Sequence, residues 1–140
     1  MDVFGQLEGT IEAPAKPRRF VFVLLEQFTM LSFSAAVESL RIANRMSGHD
    51  LYTWTLMSES GAPVFCNAGI EFVVQHELVD VLRDDTVMIC GGVNIKTAST
   101  KKIVSWLRRE SAMGDALSAN YVIHWRIKGT NGRFVRSRGS

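Results

Sequence analysis

The sequence predicts an α/β three-layer sandwich built on a mostly parallel central sheet. Two observations carry that expectation. Phe20-Val21-Phe22-Val23-Leu24-Leu25 and Thr86-Val87-Met88-Ile89-Cys90 are continuous apolar runs without polar alternation, the pattern of strands buried on both faces. Amphipathic helical patterns follow each run, and such an alternation implies a parallel sheet covered by helices on both sides.

Each element follows in turn. Residues 1–18 hold Gly5, Gly9, Pro14 and Pro17 among scattered acids and show no period. They are expected to form a flexible leader ahead of a domain spanning 19–125. The first strand is expected over 19–25. A helix follows, because Phe33, Val37, Leu40 and Ala43 recur at three- and four-residue spacing with Ala36 beside them. Glu38, Arg41, Asn44 and Arg45 are expected on its outer side, and Gly48 stands where a C-cap glycine belongs. Residues 51–57 read as a second strand and residues 58–63 as a turn. Residues 64–66 and 70–74 form a hairpin around Asn67-Ala68-Gly69. Residues 78–82 predict a short helix. The run Thr86–Cys90 stops at Gly91-Gly92. Thr100 caps a helix with Ile103, Trp106 and Leu107 inward and Lys101, Lys102, Arg108 and Arg109 outward. Gly114 ends that helix, and Ala116-Leu117 starts another strand. Past Trp125 no period survives, so residues 126–140 are expected as an irregular basic tail.

Composition narrows the function classes. The chain has 140 residues, 46% of them hydrophobic and 21% charged, the balance of one globular domain rather than a disordered chain or a rod. No apolar run approaches the roughly 18 residues that span a bilayer, and the amino terminus has no signal-peptide core, so a cytoplasmic location is expected. Cys66 and Cys90 cannot make a disulfide scaffold. The net charge of +2 is uneven: Arg126, Lys128, Arg133, Arg136 and Arg138 give the tail +5, so residues 1–125 carry −3. An acidic body is not a nucleic-acid surface. The tail has the charge to touch phosphates, but a solvated end is the favoured reading.

The residues offer little catalytic chemistry. His49, His76 and His124 lie apart from one another and from the cysteines, without metal-ligand spacing, so no metal and no cofactor is expected. Gly91-Gly92 follows a buried strand, but neither a third glycine nor a Gly-Lys-Ser/Thr completes a nucleotide fingerprint. Cys90 in an apolar run reads as a small hydrophobe before it reads as a reactive thiol. Cys66 has no base near it in sequence, and Ser118 lacks a nucleophile elbow's glycines. Ligands of doubly wound sheets sit beyond the carboxyl ends of the strands. Here those ends are Glu26-Gln27-Phe28 and Cys90-Gly91-Gly92-Val93-Asn94. Glu26, Phe28, Cys90, Gly91, Gly92 and Asn94 are therefore the candidate ligand-binding residues. A tight turn with an exposed acid is an equal reading of the same residues.

Several stretches, taken in order, resemble a known family. They are residues 20–25 with Phe28-Thr29-Met30-Leu31-Ser32-Phe33, then Glu38-Ser39-Leu40-Arg41-Ile42-Ala43-Asn44-Arg45, then Leu51-Tyr52-Thr53-Trp54. Gly61-Ala62-Pro63-Val64 with Asn67 and Gly69, Val87 to Gly92, and Trp106-Leu107-Arg108-Arg109 complete the series. Together they resemble the amino-terminal, ThiJ/PfpI-like domain of GlxA-type AraC-family transcription regulators, over the first 113 residues. The resemblance implies a flavodoxin-like, class I glutamine amidotransferase-like fold. It also implies a domain that binds a small-molecule effector and forms a homodimer. The subgroup answering carnitine- or betaine-like compounds is the nearest, and Glu26 would supply the counter-charge to a quaternary amine. In that family DNA is bound by a carboxy-terminal pair of helix-turn-helix motifs. No such motif occurs in these 140 residues, so the resemblance implies a fragment or a truncated product.

Enzymatic relatives of the fold place a Cys nucleophile at an elbow about 25 residues beyond the Gly-Gly pair and an acid after the first strand. The corresponding stretches here, Ala116-Leu117-Ser118-Ala119-Asn120-Tyr121 and Met30-Leu31-Ser32-Phe33, carry neither. A ThiJ/PfpI-type amidase, hydrolase or glyoxalase is thus the second reading, and a partner forming mixed dimers with longer relatives the third. Ile123-His124-Trp125 resembles a family segment normally found some twenty residues further on, which implies a deletion and an incomplete carboxy-terminal end of the sheet.

Overall fold

The computed structural model describes residues 16–82, 84–92, 98, 100–112, 121–122 and 136–137. Residues 1–15 of the expected 1–18 leader, the strand at Ala116-Leu117, the Gly114 stop and nearly all of the tail lie outside the described residues. The elements are β1 (Arg18–Leu24), α1 (Met30–Ser47), β2 (Tyr52–Met57), β3 (Val64–Phe65), β4 (Glu71–Phe72), β5 (Thr86–Cys90), α2 (Lys101–Ala112), β6 (Tyr121–Val122) and β7 (Arg136–Ser137). One sheet has the order β2-β1-β5-β6-β7, and β3 and β4 form a separate antiparallel pair. β2, β1, β5 and β6 run parallel, whereas β7 is antiparallel to β6.

The two apolar runs are interior strands because both of their faces are covered. Side chains alternate across a strand. On β1 and just beyond it, Val21, Val23 and Leu25 point to one face. There they pack with Val87, Ile89 and Met57 beneath Ile103 and Trp106 of α2. Phe22 and Leu24 point to the other, with Phe28, Phe33, Val64 and Cys66, and with Ala36, Val37 and Leu40 of α1 packed against them. This second layer is aromatic. Phe28, Phe33 and Phe72 meet edge to face, with ring centroids 5.2 to 5.8 Å apart. Such pairs add about 0.5–1.5 kcal/mol each beyond the area they bury.

The helix ends follow the sequence. Gly48 closes α1 with φ 70°, its N–H donating to the Arg45 carbonyl, a conformation that glycine adopts without a Cβ penalty. The Ile103 N–H donates to Thr100 Oγ1 at 3.2 Å, satisfying one of the orphan donors at the start of α2.

Three expectations fail. Arg136–Ser137, inside the tail expected to be irregular, forms β7 and is held in the sheet by its pairing with β6. Residues 78–82 are not helical. Their backbone groups are taken by side chains from elsewhere: Trp106 Nε1 donates to the Val79 carbonyl, Glu110 accepts from the Val81 N–H, and Asp85 accepts from the Leu82 N–H. Those bonds compete with a helical ladder and hold the segment against α2. Asn44 is not on the solvent side of α1. Its amide accepts from the Tyr52 N–H at 2.9 Å and donates to the Tyr52 carbonyl at 2.8 Å. Tyr52 begins the edge strand β2. Further along that strand, Leu56 is held by Gln75 and His76. Capping an edge at both ends shortens the stretch open to unwanted strand pairing.

Candidate functional site

The carboxyl ends of β1 and β5 lie side by side, as parallel neighbours must. The Leu25 N–H donates to the Cys90 carbonyl at 3.0 Å, and the Thr29 N–H donates to the Gly91 carbonyl at 3.1 Å. The segment 26–29 between β1 and α1 is therefore strapped across the exit of β5. The hairpin of β3 and β4 clasps it from the other side. The Gln27 N–H donates to the Phe65 carbonyl, and the Asn67 N–H donates to the Phe28 carbonyl. Asn67 Oδ1 accepts from the Met30 N–H at 3.3 Å, so a residue of the hairpin turn satisfies a donor in the first turn of α1.

This strapping explains the glycine pair in part. A Cβ on Gly92 would run into the Gln27 carbonyl oxygen and press on the carbonyl carbon behind it. Backbone approach at that point admits only glycine. Gln27 itself has φ 63°, a left-handed conformation that usually costs a non-glycine residue about 1–2 kcal/mol.

Five of the six candidate residues come together here, and Asn94 lies outside the described residues. Glu26 is exposed, while Phe28 is fully buried among aromatic rings. Gly91 and Gly92 are buried. Cys90 is 8% exposed, and burial pushes its thiol up to about 12. A thiol so placed holds its proton at neutral pH and is a poor nucleophile. Cys66 is buried as well. Among the described residues no cluster of three or more His, Cys, Asp or Glu could hold a metal ion. No described helix is long and apolar enough to cross a membrane. The elbow stretch 116–120 lies outside the described residues.

Sequence reasoning missed Gln27 and Asn67 as builders of this site. Asn67 carried a signal, since an Asn in an Asn-Ala-Gly turn is a local hydrogen-bonding residue. Gln27 carried none, because no propensity places Gln in a left-handed conformation.

No family model matches the chain. The regulator GbdR of Pseudomonas aeruginosa, an HTH-type transcriptional regulator, is 33% identical over 111 residues, 79% of this chain and 30% of its own. The HTH-type transcriptional regulator CdhR of the same species is 35% identical over 98 residues, 70% of this chain and 29% of its own. The chain thus spans about a third of the length of these curated relatives. Among solved structures, a ThiJ/PfpI family protein from Pseudomonas syringae superposes with TM-score 0.53 at 16% identity, over 69% of this chain and 39% of that one. That likeness is one of fold, and it agrees with the three-layer, parallel-sheet architecture.

Proposed function

We propose that this chain, a homologue of AraC-type helix-turn-helix regulators through their ThiJ/PfpI-like amino-terminal domain, senses a small effector and is not an enzyme. The observation that carries the reading is identity of a third or more to two transcriptional regulators over most of the chain. It acts in the cytoplasm as a homodimer, and sequence-specific DNA contacts belong to the part of such regulators that these residues do not match. The domain is taken as 19–125 between a leader and a basic tail, with Arg18 extending β1 and Arg136–Ser137 of the tail pairing with β6.

The effector site is the mouth formed by the 26–28 segment and the exit of β5. Glu26 is the exposed anion there and faces the cationic end of a quaternary amine that also bears a carboxylate. Carnitine- and betaine-like compounds have that chemistry. Phe28 and Cys90 act from beneath, as the packed floor that sets the height of the loop. Against the enzyme alternative, residues 116–121, where enzymatic relatives of the fold carry their nucleophile, contain no Cys, and the buried Cys90 thiol keeps its proton.

Calorimetric titration of carnitine and glycine betaine tests this reading. Glu26→Gln keeps the side-chain volume and removes the charge, so affinity should fall about tenfold, the loss expected for one charge-assisted contact of roughly 1.4 kcal/mol. If both compounds bind the variant as tightly as the parent, the site lies elsewhere.

A further inference from the structure

The carboxyl end of the sheet is the usual place for a ligand, but the opposite end carries an open cleft of about 490 Å³. That volume falls within the range of about 300–1,000 Å³ typical of small-molecule sites. The cleft is bounded by the start of β1, by Thr53 of β2 and by residues around the approach to β5.

Its walls combine three features. The first is a fixed guanidinium. Arg19 Nε donates to Asp85 Oδ1 at 3.0 Å, and its Nη2 donates to Asp85 Oδ2. Asp85 is only 3% exposed at its side chain, and its Oδ2 also accepts the Leu82 N–H at 2.7 Å. Both carboxylate oxygens are thus engaged by protein donors, while Arg19 stays 34% exposed. No described residue accepts from its Nη1. The second feature is surplus positive charge: Lys16, Arg18 and Arg19 line the cleft against Asp84 and Asp85, a net of +1. With Asp85 engaged by Arg19, two flexible cations face the single exposed acid Asp84. The third is an apolar wall, Pro17 together with Leu82, which is 54% exposed.

We propose that this cleft is a second ligand site, selective for a small organic anion: a carboxylate or phosphate group on a short apolar body. Arg19, held by Asp85, presents Nη1 to the anion. Lys16 and Arg18 close over it, Thr53 offers a hydroxyl, and Leu82 and Pro17 cover the apolar body. A guanidinium already fixed by a buried carboxylate loses little side-chain freedom when an anion arrives. The site is independent of the effector mouth, which lies at the other end of β1.

The test is calorimetric titration of the full chain with n-hexanoate, with inorganic phosphate as a headgroup without a body and hexylammonium as the reversed charge. Hexanoate should bind saturably and hexylammonium should not. Arg18→Glu, at an exposed position, should weaken hexanoate about tenfold or more and phosphate likewise. Leu82→Ser should weaken hexanoate several-fold and leave phosphate unchanged. Glu26→Gln should leave both unchanged, which separates this site from the effector mouth, and raised salt should weaken both anions. Circular dichroism of each variant confirms that it folds. The proposal is overturned if hexanoate fails to saturate, if it binds the folded Arg18→Glu and Leu82→Ser variants as well as the parent, or if Glu26→Gln is the variant that abolishes it.

Discussion

At the carboxyl end of the sheet, β1 and β5 are joined through backbone. Gly91 and Cys90 carbonyls accept from Thr29 and Leu25, and Gly92 stands too close to the Gln27 carbonyl for any side chain. At the amino end, near the start of the same two strands, the join runs through side chains, with Arg19 gripping Asp85 across the entry to β5. Backbone at contact distance cannot move without moving two elements, so substitutions there are felt in full. A half-exposed arginine can turn to water when its partner is lost, so the amino end should yield more gently. The difference also suits the two proposed ligand roles. A crowded backbone end sets a mouth of fixed shape, whereas an end built from long side chains can adapt to an anion.

The sharpest test of that contrast is Gly92→Val. Overpacking against a carbonyl, with no flexible side chain to give way, should destabilise the domain by about 3 kcal/mol or more. Urea denaturation measures it. Asp85→Ala should be milder, about 2 kcal/mol, because it leaves the Leu82 N–H unpaired while Arg19 regains solvent. An Asp85 loss that equals or exceeds the Gly92 loss would break the comparison.

A smaller effect comes from pH. Burial raises the Cys90 thiol from an ordinary 9.0 to about 12. In the unfolded chain the thiol ionises at its ordinary value, so its contribution is complete below about pH 9. It is lost progressively between there and about 12, with a slope approaching 1.4 kcal/mol per pH unit. Denaturation series from pH 8 to pH 10.5 should show that decline in the parent, and Cys90→Ala should flatten it. If the two slopes match, burial is not governing the thiol. The smallest effect should be favourable. Gln27→Gly relieves the left-handed strain but adds unfolded-state freedom, so a net gain of about 0.5 kcal/mol is expected. A loss on this substitution would mean that the Gln27 side chain makes a contribution larger than its strain.

The regular elements were legible in the sequence to different depths. Interior strands declared themselves because a segment covered on both faces has no place for polar alternation, and residues 20–25 and 86–90 have none. Helix α1 and its Gly48 stop, the Thr100 cap and the hairpin turn were legible for equally local reasons: a 3.6-residue period, a residue without Cβ, a hydroxyl one turn before a free N–H. Of the candidate site, the glycine pair and the two strand exits were legible, since topology alone brings parallel strand ends together.

Other features depended on partners distant in sequence. The segment 78–82 has the composition of a short helix, yet Glu110, Trp106 and Asp85 take its backbone groups and keep it open. Asn44 sits in a helical pattern on the polar side, and only the position of β2 turns it into the cap of a sheet edge. Gln27 adopts a left-handed conformation within a loop hydrogen-bonded to both β5 and the hairpin. The sequence by itself determined the interior strands, the two long helices and the apolar faces they bury, because those preferences are summed over neighbours along the chain. The tertiary structure alone decided the loops, the edge cap, the strained residue and the cleft at the amino end, because each depends on a hydrogen bond or a steric contact between residues far apart in sequence, whose pairing no local period records.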